Sequence, residues 1–304
     1  MMPLGRGTKP VNSPPFDAVS AAINDIRQES PERAVDALKH LQDLLTQTPH
    51  FFEDSVETLL DALLDEFDRA FTRPERLHDT QHTRMVKHLM QTFSCITCNS
   101  NLIRRLDANA LYPLMAALLR RLIQADRLGG TIAEMGKFMN LIVIQAMSTP
   151  ERITVYTAMF RLVAETFKDF DVNYPDESTE VADHAELLLK CLWKRAKVME
   201  EDFRAGRLQV GKLLVVLEEF LENTGPQEWS RRKKAGVFLG DMPLKTVKSF
   251  LQKAMSESFI GVSAQKLMTR LYYIQGRRYL RCSVGRVRRC RRGHYCECCS
   301  CCMG

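Results

Sequence analysis

The amino-acid sequence predicts an all-α fold, an α-solenoid of antiparallel helix pairs, on three observations. Apolar residues recur at spacings of three and four from Phe16 to Leu221, and no segment sustains the period-two alternation of a strand. Openers of one kind, Pro-Glu-Arg, return along the chain, as expected of a repeat. Hydrophobic residues make up 45% of the 304 positions, enough for a continuous core without disulfide staples.

The apolar stripes, taken in order, each mark one face of a helix. The first run through Val35, Leu38, Leu41 and Leu45, then Val56, Leu59, Leu60, Leu63, Leu64 and Phe67. Met85, Val86, Leu89, Met90 and Phe93 form the next, followed by Leu111, Leu114, Met115, Leu118, Leu119 and Leu122. Ile132, Met135, Phe138, Met139, Ile142 and Val143 predict another helix, and Ile153, Tyr156, Met159, Phe160, Val163 and Phe167 one more. The last stripes are Leu187, Leu188, Cys191 and Leu192, then Leu213, Leu214, Leu217, Phe220 and Leu221. Leu188, Leu192, Trp193, Leu214 and Leu217 are the expected core anchors of this end.

Ser30-Pro31-Glu32-Arg33 and Thr149-Pro150-Glu151-Arg152 each put a hydroxyl at the N-cap, proline in the first turn and a carboxylate near the positive helix end. Arg73-Pro74-Glu75-Arg76 is a third echo without the cap. The prolines lie 43 and then 76 residues apart, roughly one and two periods of the ~40-residue HEAT-type helix pair. Breaks at Gly129-Gly130, at Tyr174 to Thr179 and from Asn223 to Gly240 are too short to separate domains. The expected division is a flexible leader over 1–15, a HEAT-like solenoid over 16–275 and a disordered Arg/Cys-rich tail over 276–304.

The net charge of +6 belongs to the tail, where arginines crowd after Gly276, and the body is close to neutral. That argues against a general nucleic-acid-binding face. No secretory stretch or long apolar run is present, and Cys95, Cys98 and Cys191 suit a reducing compartment, so a cytosolic or nuclear protein is expected. Gly-x-Gly-x-x-Gly, phosphate-loop, Gly-x-Ser-x-Gly and His-Glu-x-x-His motifs are all lacking, and no enzyme activity or cofactor is expected. Glu200-Glu201-Asp202 and Glu218-Glu219 read as solvated helix faces. Cys95-Ile96-Thr97-Cys98 reads as buried structural thiols, since His82 and His88 lack zinc-finger spacing.

Arg231, Arg232, Lys233 and Lys234 form the one compact basic run before the tail, in a connection between helices, where a solenoid gathers ligand contacts. It reads equally as a landing site for an acidic surface and as a solvated loop, with nuclear localisation a third reading. Trp229 beside it is the more plausible surface aromatic, and Trp193 the expected core anchor. In the tail, Cys296, Cys298, Cys299, Cys301 and Cys302 resemble a soft-metal cluster. No element surrounds them to fix a geometry, so a disordered tail or a mis-assigned gene end stands beside that reading.

Leu187 to Met199 (LLLKCLWKRAKVM), the Leu208 to Leu221 helix and Asp241 to Lys248 (DMPLKTVK) resemble the C-terminal helical repeat domain of the ch-TOG/Minispindles microtubule polymerases. Phe138 to Met147 (FMNLIVIQAM) is similar to the helix preceding it there, and the resemblance spans Ala108 to Met255. It implies action on microtubules at spindle poles, kinetochores or growing ends, in the cytoplasm and cytoskeleton. Tubulin-gripping TOG domains carry a tryptophan in their first inter-helix loop, and none precedes Trp193 here. The resemblance is therefore to the terminal, partner-binding domain, alone or as a fragment of a longer gene. The implied partners are tubulin and microtubules, or a microtubule-associated adaptor such as an acidic coiled coil, with no small-molecule substrate and no membrane. Lys245 and Lys248 join Arg231 to Lys234 as candidate partner contacts. A generic adaptor solenoid binding another protein or RNA is the alternative, and a metal-handling tail a third.

Overall fold

The computed structural model describes residues 15–27, 30–148, 151–168, 179–224 and 249–250. Among these the chain is all-α, with ten α-helices and two short 3-10 turns and no strand. The helices are α1 (Pro15–Ile26), α2 (Pro31–Gln47), α3 (Val56–Phe71), α4 (Thr80–Cys98), α5 (Ser100–Arg105), α6 (Ala108–Leu128), α7 (Gly130–Ser148), α8 (Arg152–Lys168), α9 (Thr179–Arg204) and α10 (Val210–Asn223). The 3-10 turns, Pro49–Phe52 and Pro74–His78, precede α3 and α4.

Successive helices pair, α1 with α2, α3 with α4, α6 with α7 and α8 with α9. The pairs then stack into two layers. Helices α1, α3, α6, α8 and α10 touch in that order along one layer, and α2, α4 and α7 along the other. This is the helical-repeat stack that the stripes predict, because each helix has one apolar face and must cover it with its neighbours. One contiguous core runs through it, from Leu38 in α2 to Leu217 in α10.

The pair starts, Pro15, Val56, Ala108 and Arg152, are 41, 52 and 44 residues apart, the longest interval containing α5. The ~40-residue period is thus present, but the Pro-Glu-Arg openers do not mark its phase. Pro31 begins the second helix of a pair, Pro74 begins a 3-10 turn, and α8, just after Pro150, is the first helix of a pair. Ser30 occupies an N-cap position without a side-chain cap bond. Capping comes instead from Asp79, Asn99 and Asp107, whose side chains accept from the first backbone N–H groups of α4, α5 and α6.

The α6–α7 pair folds back through Gly129 (φ 70°, ψ −168°) and Gly130 (φ 56°), a backbone that only glycine adopts without strain. Behind that turn a Cβ on Gly136 would sit 3.4 Å from the Leu122 Cδ1 and 3.6 Å from the Ala125 Cβ, so the two helices run antiparallel in close contact. Polar pins set the register of the other layer. Gln42 of α2 donates to Thr92 Oγ1 and the His88 carbonyl on α4, at 3.0 and 2.8 Å. Ser94 and Thr97 of α4 donate to Gln145 Oε1 on α7, at 3.2 and 3.1 Å. No helix among the described residues is long and apolar enough to cross a membrane.

Candidate functional site

The densest charge arrangement among the described residues is built where α8, α9 and α10 meet. Asp202, in the last turns of α9, is 1% exposed, and three guanidinium groups converge on its carboxylate. Arg207 Nε donates to Oδ1 at 2.8 Å, Arg152 Nε to Oδ1 at 3.2 Å, and Arg195 Nη2 to Oδ2 at 2.9 Å. The Asp202 carbonyl also accepts the backbone N–H groups of Arg207 and Leu208, which closes the turn into α10. Arg152 reaches further, donating to the Ser148 carbonyl at the end of α7. The Tyr156 hydroxyl donates to the Arg195 carbonyl at 3.4 Å, and burial pushes its pKa up to about 12. With Oδ1 accepting from two guanidinium groups and Oδ2 from a third, the Asp202 carboxylate ties helix ends together.

This is a correction to the sequence reading, which put Glu200-Glu201-Asp202 on a solvated face. The helical period explains it: Asp202 falls three residues after Met199 and six after Ala196, both buried, so it lies toward the core side of α9. Arg195 and Arg152 then stand where their forks can reach it. Acid triplets in sequence do not reveal this, because the three arginines come from positions up to 55 residues apart.

Between α4 and α7 lies an open groove of about 340 Å³, lined by Lys87, His88, Met90, Gln91, Glu134, Met135 and Phe138. Its floor is thioether and aromatic, and its rim is charged. Lys137 beside it pairs with Glu134 at 2.7 Å. Burial, then the nearby Lys39 and Arg84, lower the His88 pKa, so the imidazole is neutral at physiological pH. The groove presents adaptable apolar surface and no convergent acid-base set.

Leu188 and Leu192 of α9 and Leu214 and Leu217 of α10 are buried, and both helices pack against α8. Trp193 is not: it is 48% exposed, against the expectation of a core anchor. The buried stripe of α9 runs through Ala185, Leu188, Leu189, Leu192, Ala196 and Met199, and a residue directly after Leu192 turns ~100° away from it. The thiols differ as well. Cys191 is buried, whereas Cys95 is half-buried and Cys98 exposed, so the Cys95/Cys98 pair is not the buried structural pair expected. Burial raises the pKa of Cys95 and Cys191, which makes neither an activated thiolate. His82 is buried and its Nε2 lies 3.0 Å from the Ala70 carbonyl, a core role. Among the described residues no group of three or more His, Cys, Asp or Glu could hold a metal ion. Arg231, Arg232, Lys233, Lys234, Lys245, Lys248, Trp229 and the tail cysteines Cys296, Cys298, Cys299, Cys301 and Cys302 lie outside the described residues. So do residues 1–14 and 276–304 of the expected leader and tail.

No family model matches the chain, and no solved structure matches it. A distant likeness exists to Protein mini spindles of Drosophila melanogaster, 22% identical over 148 residues. Those residues are 49% of this chain and 6% of that protein, so the chain spans a small fraction of the relative's length. At that identity the finding supports a distant TOG-like relationship.

Proposed function

We propose that this chain is a non-catalytic helical-repeat module that works in microtubule growth and spindle organisation, by binding microtubules or a partner that sits on them. The observation that carries the reading is the likeness to Protein mini spindles, over half of a chain that folds as stacked helix pairs. The Lys-Cys-Leu-Trp-Lys and Pro-Leu-Lys-Thr-Val-Lys segments, which resemble the microtubule polymerase family, support it from the residues upward. A stack of this kind offers long rims and shallow grooves to a macromolecule. The place of action on this reading is the cytoskeleton.

Co-sedimentation with polymerised tubulin at low and high salt tests the proposal. Pelleting at low salt that weakens at high salt is the expected result, since contact with an acidic lattice is screened. No pelleting at either salt removes direct binding, and no pelleting when a spindle extract is added removes the indirect form too. Reversal of Arg231, Arg232, Lys233 and Lys234 to glutamate is expected to abolish pelleting with unchanged circular dichroism. Unchanged pelleting would clear that run of a binding role.

A further inference from the structure

We infer that the solvent face of α9 formed by Lys190, Trp193, Lys194 and Lys197 is a docking surface for a short acidic peptide segment carrying an apolar anchor. The inference is independent of the microtubule reading and rests on the placement of these side chains.

The opposite face of α9 is fixed: Leu188, Leu192, Ala196 and Met199 are buried, and the Asp202 cluster locks the end of the helix. The outward face is therefore presented on a rigid rod. On it, Lys190, Trp193, Lys194 and Lys197 fall within one sector of the helical wheel over two turns. A tryptophan ring left 48% exposed on a rigid helix is the type of group that anchors interfaces. Lys190 pairs with Glu186 at 2.6 Å, an exposed i,i+4 contact that contributes little. Lys194 and Lys197 make no ion pair among the described residues. The indole is thus flanked by Lys194 and Lys197, neither of them in an ion pair among the described residues.

Spacing and charge select the ligand. Lys190 and Lys194 are ~6 Å apart along the axis, close to the ~7 Å between alternate side chains of an extended chain. Glutamates at such positions meet both ammonium groups, and an apolar residue elsewhere in the segment, on the same side of its chain, covers the indole. The basic tract is bounded on the same face by Glu186 and by Glu201, which is 74% exposed at its side chain. A continuous polyphosphate would run past both ends onto carboxylates, whereas a short acidic segment ends between them. Nor is there an arginine fork on this face between Lys190 and Lys197 to grip phosphate.

The test uses the full chain with Trp229→Phe, so that indole emission reports Trp193 alone. The probe is a fluorescein-labelled ten-residue glutamate peptide with one central phenylalanine, beside its glutamine counterpart and an oligothymidine of equal charge. Saturable quenching of Trp193 emission by the acidic peptide is expected, weaker at high salt, with little response to the glutamine peptide. By fluorescein anisotropy of the labelled peptide, Lys194→Glu/Lys197→Glu and Trp193→Ala should each weaken binding about tenfold or more. Lys194→Gln/Lys197→Gln gives the same readout should the reversal disturb folding. Lys39→Glu/Lys137→Glu, in the other layer, should leave affinity unchanged. The inference is overturned if Trp193 emission does not respond, if the α9 variants bind normally, or if oligothymidine binds more tightly at this face.

Discussion

Asp202 holds three guanidinium groups on one buried carboxylate, and the consequence of removing it follows from what would be left behind. Asp202→Ala strands Arg195 and Arg152, whose side chains are only 13% and 17% exposed, without their counter-charge. Such a change is expected to cost about 3–5 kcal/mol. Arg207→Ala should cost about 1 kcal/mol, because the Arg207 side chain is 45% exposed and screened. Urea denaturation of both variants checks this, and equal costs would show that the carboxylate is not the hub. Glu66 of α3 makes the opposite case. Burial raises its pKa from 4.5, more strongly than Arg69 lowers it, and the reason is visible in the pair: the Glu66 side chain is 8% exposed, that of Arg69 61%. A carboxyl with a raised folded pKa gives stability that is fully present below pH 4.5 and lost as pH rises through the folded value. Glu66→Gln is therefore expected to raise Tm at pH 7.5, by less than about 1 kcal/mol in stability, and to give no gain at pH 4. Thermal unfolding at the two pH values decides it, and a gain only at the lower pH would reverse the assignment.

At the scale of elements, eight of the ten described helices are legible because their buried residues follow the period closely, whereas α1 and α5 have no predicted stripe of their own. Spacing alone puts Leu59, Leu60, Leu63 and Phe67 of α3, and Leu213, Leu214, Leu217 and Phe220 of α10, on the inner face, and all are buried. What spacing cannot give is how far the buried arc extends to either side. Trp193 is one residue beyond a buried leucine and Asp202 three beyond a buried methionine, yet one faces water and the other the core. Partners distant in sequence decide such edges: Arg152 and Arg207 draw Asp202 inward, while Trp193 stays 48% exposed. At Ser30-Pro31-Glu32 the hydroxyl, proline and carboxylate stand where the opener predicts but without a side-chain cap bond, and the caps that form belong to Asp79, Asn99 and Asp107. The Gly129-Gly130 break, in contrast, is a turn whose chemistry is local. At φ 70° and ψ −168°, Gly129 sits in a region almost reserved for glycine, and a Cβ there would meet nothing within 4 Å. Gly129→Ala is then a pure backbone penalty of about 1–3 kcal/mol. Urea unfolding checks the loss, and Gly211→Ala on the open face of α10, where a Cβ also meets nothing and helical φ suits alanine, should be neutral or stabilising.

The molecule as a whole is a stack, and a stack transmits a perturbation only through contiguous layers. From α3 to α10 the path of contacts runs through α6 and α8. Two aromatic clusters sit on that path, Phe67 with Phe71 and Phe93 at one end, Tyr156 with Phe160, Phe220 and Phe250 at the other. Each cluster is built by its own local helices, so a cavity opened beside one leaves the packing of the other in place. Leu60 in α3 and Leu217 in α10 are both fully buried, and truncation of either to alanine should cost about 2–5 kcal/mol. Their separation predicts more than two separate losses. In a compact fold both leucines would line one shared interior, and relaxation around the first cavity would change the cost of the second. In a stack that relaxation is absorbed by the helices between, so the double variant should lose the sum of the two single losses to within about 0.5 kcal/mol. Denaturant unfolding of Leu60→Ala, Leu217→Ala and the pair, followed by circular dichroism, measures the coupling directly, provided each variant keeps the wild-type helix signal. A coupling well above about 1 kcal/mol would mean that relaxation around one leucine reaches the other across α6 and α8, and would remove the layered architecture on which the binding surfaces depend.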